Sequence, residues 1–234
     1  MSVNIFDYLK GNSYPGRAIM IGKSPDGKKN IIAYLIMGRS ENSRNRIFVA
    51  EGDGMRTKAF DPAKLTDPSL VIYWPVRKLG GITIVTNGDQ TDTIADSLAD
   101  GKTFEDALRT REFEPDSPNY TPRISGVVAP DGSYKLSILK CGDAESGACD
   151  RFFYEYAAPR NGIGHFISTY EKDGDPLPSY RGEPLETELG GSIQELADSL
   201  WNSLNADNKV SLFVRYVDIA SDEYETVIIN KHGG

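Results

Sequence analysis

N-G-D-Q-T-D-T-I-A-D, residues Asn87–Asp96, follows the β-branched run Ile82-Thr83-Ile84-Val85-Thr86. The run alternates as a strand does. Asn87-Gly88 then breaks it, because both residues tolerate positive φ. Thr91 or Asp92 suits a helix N-cap, and Ile94, Ala95, Leu98 and Ala99 supply an apolar face at helical spacing. A strand, a sharp turn and a helix start in succession aim backbone N–H groups and short polar side chains at one spot, which favours an anion or a polar ligand. The same pattern also describes a well-capped connection that binds nothing.

Outward from this stretch the chain is mostly short strands and hairpins. Arg123–Pro130 and Ser133–Lys140 read as a hairpin about Pro130-Asp131-Gly132, and Ala18–Gly22 and Asn30–Met37 as another about Pro25-Asp26-Gly27. The two echo each other: R-A-I-M-I-G-K-S-P-D-G from Arg17 and R-I-S-G-V-V-A-P-D-G from Arg123 each set an Arg before an apolar strand and the same turn. Two stacked sheets, each seeded by such a hairpin, would explain the echo, although P-D-G turns are common. Ile47–Glu51, Arg56–Phe60, Leu70–Arg77 (ended or bulged by Pro75), Phe152–Ala157, Gly164–Tyr170, Val210–Val217 and Glu225–Asn230 read as further strands. Asp92–Ala99 and Thr103–Arg109 read as helices. Ser192–Asn205 is the clearest one, with Ser192 and Glu195 as a capping box and Ile193, Leu196, Ala197, Leu200, Trp201 and Leu204 on one stripe. Gly38–Arg46 reads as a polar loop, Thr110–Tyr120 as loop or extended chain, Asp61–Asp67 as a connector with a helical turn, and Ser2–Ser13 as a polar arm with one or two turns of helix that pack on the surface through Ile5, Phe6, Tyr8 and Leu9. This order predicts an α+β fold rather than a parallel α/β sheet.

Composition narrows the function. At 234 residues one domain is the leading expectation, an arm over residues 1–13 followed by a single unit over 14–234. A net charge of -8 argues against a general nucleic-acid binder but leaves room for a small phosphorylated ligand held by a few arginines. Neither a signal peptide nor a membrane-spanning run is apparent, so a cytoplasmic location is expected. Cys141 and Cys149 sit in the Gly/Asp/Ser-rich stretch C-G-D-A-E-S-G-A-C, where a loop disulfide is conceivable, and the sparse His and Cys give no convincing metal site.

Nucleophile chemistry is poorly supplied. His165 and His232 lack a Ser or Cys partner nearby in sequence, and Ser2, exposed if Met1 were removed, lies in a polar arm rather than at a strand start. Glu112-Phe113-Glu114 sets two carboxylates on one side of an extended segment, and paired carboxylates separate acid and base roles by pushing their pKa values apart. Alternating Glu on a loop is more often solvated surface. Arg39, Arg44 and Arg46 crowd one loop and suit a phosphate or carboxylate as well as they suit solvent.

Seven motifs occur in order: Y-P-G-R at Tyr14–Arg17, G-R-S-x-x-x-R at Gly38–Arg44, D-P-x-x-x-x-Y at Asp67–Tyr73, the central block at Asn87–Asp96, E-F-E-P-D at Glu112–Asp116, T-P-R-I at Thr121–Ile124 and I-S-T-Y-E at Ile167–Glu171. Together they resemble the archaeal-type IMP cyclohydrolase family, with the central block and T-P-R-I as the most specific parts. The resemblance implies a four-layer αββα sandwich like that of N-terminal-nucleophile hydrolases, without self-processing. It implies closure of 5-formamidoimidazole-4-carboxamide ribonucleotide to IMP with loss of water in purine biosynthesis. The substrate is then a small nucleotide, no cofactor or metal is needed, and a homo-oligomer is compatible with the reading. By motif position Arg44, Tyr73, Glu112 and Glu114 are the expected catalytic residues; Arg17, Arg39, Asn87, Thr91, Asp92 and Arg123 are expected to bind substrate. Without the resemblance Tyr73 reads as strand packing beside Trp74. Asp89-Gln90, the longer segments Lys140–Arg151 and Asp173–Gly191, and the extra arm depart from the family pattern. Two other functions remain as alternatives: an amide hydrolase of the same fold using Ser2, and a non-catalytic purine-nucleotide-binding protein.

Overall fold

The computed structural model describes residues 2–65, 68 and 70–233. Helix α1 (Ile5–Gly11) is capped by Asn4, whose side chain accepts from the Phe6 and Asp7 amides. The first hairpin follows as β1 (Arg17–Lys23) and β2 (Lys29–Met37), turning at Pro25-Asp26-Gly27. Then come the short α2 (Glu41–Arg44), β3 (Arg46–Glu51), β4 (Gly54–Ala59), β5 (Val76–Leu79) and β6 (Ile82–Thr86). Helices α3 (Gln90–Ala99) and α4 (Phe104–Arg109) precede the second hairpin, β7 (Arg123–Val128) and β8 (Tyr134–Asp143). The chain closes with β9 (Ala148–Tyr156), β10 (Ile163–Ser168), β11 (Leu185–Glu188), α5 (Ile193–Ser203), β12 (Lys209–Asp218) and β13 (Tyr224–Asn230).

The strands form two sheets, one ordered β11-β10-β1-β2-β12-β13 and the other β3-β4-β5-β6-β7-β8-β9. Neighbouring strands pair antiparallel throughout. The two echoed hairpins therefore enter different sheets, as their repetition suggests. Alternation along β1 explains the packing: Ile19 and Ile21 face the second sheet, whereas Ala18 and Met20 face helices. Ile19, Ile21, Ile32 and Phe213 meet Phe48, Val85, Ile124 and Leu136 between the sheets. Ile5 and Leu9 of α1 and Leu196 and Leu200 of α5 cover the outer face of the six-stranded sheet. Ile94, Phe104 and Leu108 of α3 and α4 cover Ile84 and Leu139 of the other.

Several expectations change. The arm forms the expected short helix, α1, but it is anchored more firmly than a surface arm, with Ile5 and Leu9 in the core because two apolar positions four residues apart share one face. Gly38–Arg46 is not all loop, since Ser40 and Ser43 form a reciprocal cap around α2. Leu70–Arg77 is not a strand; pairing begins only at Val76, after Pro75, which has no N–H to give a ladder. The Cys141–Cys149 stretch is the tip of a hairpin rather than an open loop, and the two cysteines pair in register with both thiols free. Strand β11 was carried by no sequence signal. Of the connector Asp61–Asp67, Pro62–Lys64 forms a 3₁₀ turn capped by Asp61, while Asp67 lies outside the described residues.

Candidate active site

Arg17 opens β1 and turns its guanidinium into the protein, where Nη2 donates to Glu114 Oε1 at 2.8 Å. The residue before it explains how the chain gets there. Gly16 has φ +78°, and a Cβ at that position would lie 2.3 Å from Thr169 Oγ1 and 2.5 Å from the Tyr170 ring. Only glycine lets the backbone pass so close. The Arg17 amide then bonds Thr169 Oγ1 at 3.1 Å, fixing the start of β1 against the end of β10.

Glu114 comes from the proline-rich segment after α4, held by its amide to Thr121 O at 2.9 Å, and is 2% exposed. Burial pushes its carboxyl above the ordinary range, and the charges of Arg17 and Arg123 pull only part of the way back. Burial also works against the Arg17 charge, but Glu114 and then the Tyr170, Tyr73 and Tyr34 hydroxyls hold it, leaving it well above its ordinary value. The pair is thus a fixed cation beside a carboxyl that protonates more readily than usual.

Three tyrosines complete the cluster. Tyr73 is clamped by Thr57 of β4: the Tyr73 amide donates to Thr57 Oγ1 at 2.8 Å, and the Thr57 amide and hydroxyl both donate to Tyr73 O. Its hydroxyl lies 2.8 Å from that of Tyr34, a fully buried β2 residue stacked on Phe48. Tyr170 donates to Thr121 Oγ1 at 2.5 Å, and Thr121 in turn gives its hydroxyl and amide protons to Asp116. Burial pushes the Tyr170 hydroxyl up to about 12, against the pull of Arg17 and Thr121.

The central turn behaves differently from its expectation. Asn87 Oδ1 accepts from the Ile124 amide at 2.8 Å and from Gln90 Nε2 at 3.0 Å, while Nδ2 donates to Pro122 O at 2.9 Å. Thr91 Oγ1 lies 2.5 Å from Thr86 Oγ1. Both side chains are buried scaffold: Asn87 ties the end of β6 to β7, and Thr91 ties the start of α3 to Thr86 and Gly88. The helix cap is Asp89, not Thr91 or Asp92, and its side chain leaves the helix to join Arg123 Nη1 at 2.7 Å and Arg111 Nη2 at 2.5 Å. Burial raises the Asp89 carboxyl, but the Arg111 hydrogen bond and the two arginine charges bring it below its ordinary value. Arg123 is steadied further by Gln90 Oε1 at 2.8 Å, and a Cβ on Gly88 would sit 2.5 Å from Arg123 Nη1.

The structure therefore brings Arg17, Tyr73, Glu114 and Arg123 together and sets other expected residues apart. Glu112 is exposed, on the side of the segment where its charge is felt by Cys149, so it makes no carboxyl pair with Glu114. Arg44 is tied to Gly38 O at 2.9 Å and to Asn208 Oδ1 at 3.0 Å, and it faces a groove lined by Phe60, Lys64 and His232. Asp92 faces the surface and pairs with Arg77 at 2.7 Å. Arg39 stands at the rim, over the Tyr14 ring and bonded to Asp173, with Tyr14 stacked on Tyr170. Ser2 is exposed in a groove with Thr187 and Glu188, which pair with the opposite end of β10 from Tyr170. At about 3.3 Å per residue that is roughly 20 Å from Tyr170. Tyr34, Tyr170, Asp89, Arg111, Asp116 and Thr121 were missed as site residues. Asp89, Asp116, Thr121 and Tyr170 stood inside recognised motifs, and Tyr34 is the one aromatic in the strand I-I-A-Y-L-I-M, a usable signal.

The family model described as IMP cyclohydrolase-like protein matches residues 14–223. An IMP cyclohydrolase of Methanopyrus kandleri is 31% identical over 197 residues, covering 80% of this chain and 92% of that protein. An IMP cyclohydrolase of Methanothrix thermoacetophila is 30% identical over 192 residues, covering 80% and 85%. One from Halobacterium salinarum is 32% identical over 164 residues, covering 68% and 74%. The matched span holds Arg17, Tyr34, Tyr73, Glu114, Arg123 and Tyr170, and the chain belongs to the IMP cyclohydrolase-like protein family.

Proposed function

We propose that this protein is an IMP cyclohydrolase, closing 5-formamidoimidazole-4-carboxamide ribonucleotide to IMP in the cytoplasm as the last step of purine biosynthesis. The observation that carries the reading is Glu114, a buried carboxyl with raised proton affinity, clamped by Arg17 within the family span. Two stacked sheets with helices outside support the finer fold reading, a four-layer αββα sandwich like that of N-terminal-nucleophile hydrolases. Self-processing is not part of it, since Ser2 stands away from the Arg17–Glu114 cluster.

The chemistry follows from the reaction. The carboxamide nitrogen attacks the formyl carbon, a C–N bond forms, and the carbonyl electron pair moves onto the formyl oxygen. That oxygen leaves as water, taking one proton from the carboxamide nitrogen and one from the formamido nitrogen. Because both groups sit on one planar ligand, orientation supplies much of the acceleration. Glu114 is placed to carry the protons, accepting from nitrogen and returning to the departing oxygen. Tyr73, held rigid by Thr57, orients the formyl end. Arg123, with Arg39 at the rim, is suited to the phosphate, whose recognition by guanidinium forks needs no overall positive charge. The Asn87–Thr91 turn acts by holding Arg123 in place. Arg44 and Glu112 stand outside this inner group.

The test is ultraviolet detection of IMP formed from the formyl ribonucleotide by purified protein without added metal. Turnover that saturates with substrate supports the proposal. Binding of IMP with no turnover would make the chain a nucleotide-binding relative instead.

A further inference from the structure

Cys141 and Cys149 stand directly opposite each other near the tip of the β8–β9 hairpin, and both thiols are free. Side chains two apart on a strand share a face, so Cys141 lies on the face of Leu139, and Cys149 packs against the same cluster under α3 and α4. Opposite residues of an antiparallel pair keep their Cα atoms about 4.5–5.5 Å apart, inside the range of about 4.4–6.8 Å that a disulfide needs. A chain with only two cysteines in 234 residues thus holds both within bonding reach of each other. The ladder shifts register just beyond Cys141, and residues 142–148 are exposed, so the tip can adjust without moving the core. Cys149 is also tied to the candidate site. Arg151, two residues on along β9, donates from Nη1 to Cys149 O at 3.2 Å and from Nη2 to Arg111 O at 2.8 Å. Arg111 in turn donates to Asp89 Oδ2 at 2.5 Å, and Asp89 Oδ1 accepts from Arg123 Nη1 at 2.7 Å. One run of hydrogen bonds joins the hairpin tip to the guanidinium assigned to the phosphate. The Phe113 amide acts on the Cys149 thiol as well, so the segment carrying Glu114 leans on the same residue.

We propose that Cys141 and Cys149 are a reversible redox site: a low-molecular-weight disulfide oxidises them to a cross-strand disulfide, and the bond loosens the hold of Arg123 on the substrate phosphate. The coupling to phosphate rests on the cyclohydrolase reading above, whereas the bond itself does not. The Cys149 thiolate, favoured by the neighbouring Arg151 charge, attacks one sulfur of the small disulfide and expels the other as a thiolate. The Cys141 thiolate then attacks the Cys149 sulfur, a second small thiolate leaves, and the S–S bond is made. The protein gives up two electrons and two protons, and the two small thiols released carry both. Burial raises both thiols, so exchange near neutral pH is slow and follows the concentration of the small disulfide. Closing the bond draws the Cys149 sulfur toward β8 and away from Phe113, and Arg151 passes the shift of β9 to Arg111. The reduced and bridged states then differ in how Arg111 and Asp89 hold Arg123, and such a difference is what coupling between two sites requires. Two opposed thiols could also clasp a soft metal ion, but among the described residues no third His, Cys, Asp or Glu completes a site.

The test uses the wild-type protein, fully reduced and then incubated with glutathione disulfide. Its intact mass should fall by two hydrogens while it still runs as a single chain without reductant, and dithiothreitol should restore the reduced mass. Peptide mapping should place the bond between Cys141 and Cys149. Reduced and bridged protein are then compared in the IMP-forming assay. KM for the formyl ribonucleotide is expected to rise about fivefold or more on bridging, with kcat changed less, and to return on reduction. A double variant, Cys141→Ser with Cys149→Ser, should show one KM with or without the oxidant; if it responds as the wild type does, the effect lies elsewhere and the inference is overturned. No change in mass, a glutathione adduct that stays without bridging, or a bond between two copies of the chain would overturn the redox site. Bridged protein with the KM of reduced protein would overturn its coupling to the phosphate. Reduced protein that makes no IMP at all would fail the underlying function reading instead, and the mass measurement would still decide the bridge.

Discussion

At the scale of single residues, Glu114 and Glu112 show how one segment separates two like side chains. Glu114 is enclosed and paired with Arg17, and Glu112 is in water. Glu114→Gln should therefore lower kcat by roughly 10²–10⁴-fold while IMP still binds, and Glu112→Gln should stay within a few-fold of wild type in the same assay. The pH profile gives a second check. Burial raises the Glu114 pKa, so the carboxylate needed to accept the first proton forms at higher pH than for an ordinary glutamate. The acid limb of kcat/KM should lie above the ordinary carboxylate range and vanish in Glu114→Gln. Gly16 belongs at this scale too. Gly16→Ala would drive a methyl group into Thr169 and Tyr170, and loss of activity should accompany loss of the native melting transition.

At the scale of elements, what could be read in advance was what is decided locally. The α5 cap is a short-range fact: Ser192 Oγ accepts from the Glu195 amide, and Glu195 reaches back to Ser192, as the letters suggested. Ser192→Ala should destabilise the protein by about 0.5–2 kcal/mol in denaturant melts, with turnover per folded molecule unchanged. The two P-D-G hairpins were legible for the same reason. Leu70–Pro75 was not, because its apolar letters suit a strand while its role, holding Tyr73 against Thr57, depends on a strand elsewhere in sequence. The inward turn of Arg46 and the outward turn of Arg44, two residues apart, depend on β3 having a partner sheet. The β8–β10 region offers another measurable consequence. His165 lies 3.8 Å from Tyr156, stacked ring on ring, and its Nδ1 is 2.6 Å from the Tyr134 hydroxyl. Burial lowers its pKa from 6.5 to about 4. The folded protein then binds fewer protons than the unfolded chain between those values, so this contribution is complete above 6.5 and fades as pH falls towards 4. His165→Gln should flatten the dependence of melting temperature on pH in that interval.

At the scale of the whole molecule, the proposed site draws on β1, β2 and loops that follow β4, α4 and β10, so a ligand held by it would bridge both sheets. IMP at a hundred times its Kd should add about 2.7 kcal/mol to stability, a rise of roughly 5–11 °C in Tm for a chain of this size. A shift confined to one phase of a split transition would contradict a bridging site. The strand order has a further consequence during synthesis. The first hairpin made, β1–β2, lies in the middle of its sheet, and its neighbours β10 and β12 come from the far end of the chain. From Met37 to Ser168, where β10 ends, the ribosome needs roughly seven to twenty-six seconds at about 5–20 residues per second. For that interval an apolar hairpin waits with both edges unpaired, the condition that invites pairing with a neighbouring nascent chain. Expression yield should therefore respond to elongation speed and to chaperone supply more than the stability of the finished fold would suggest.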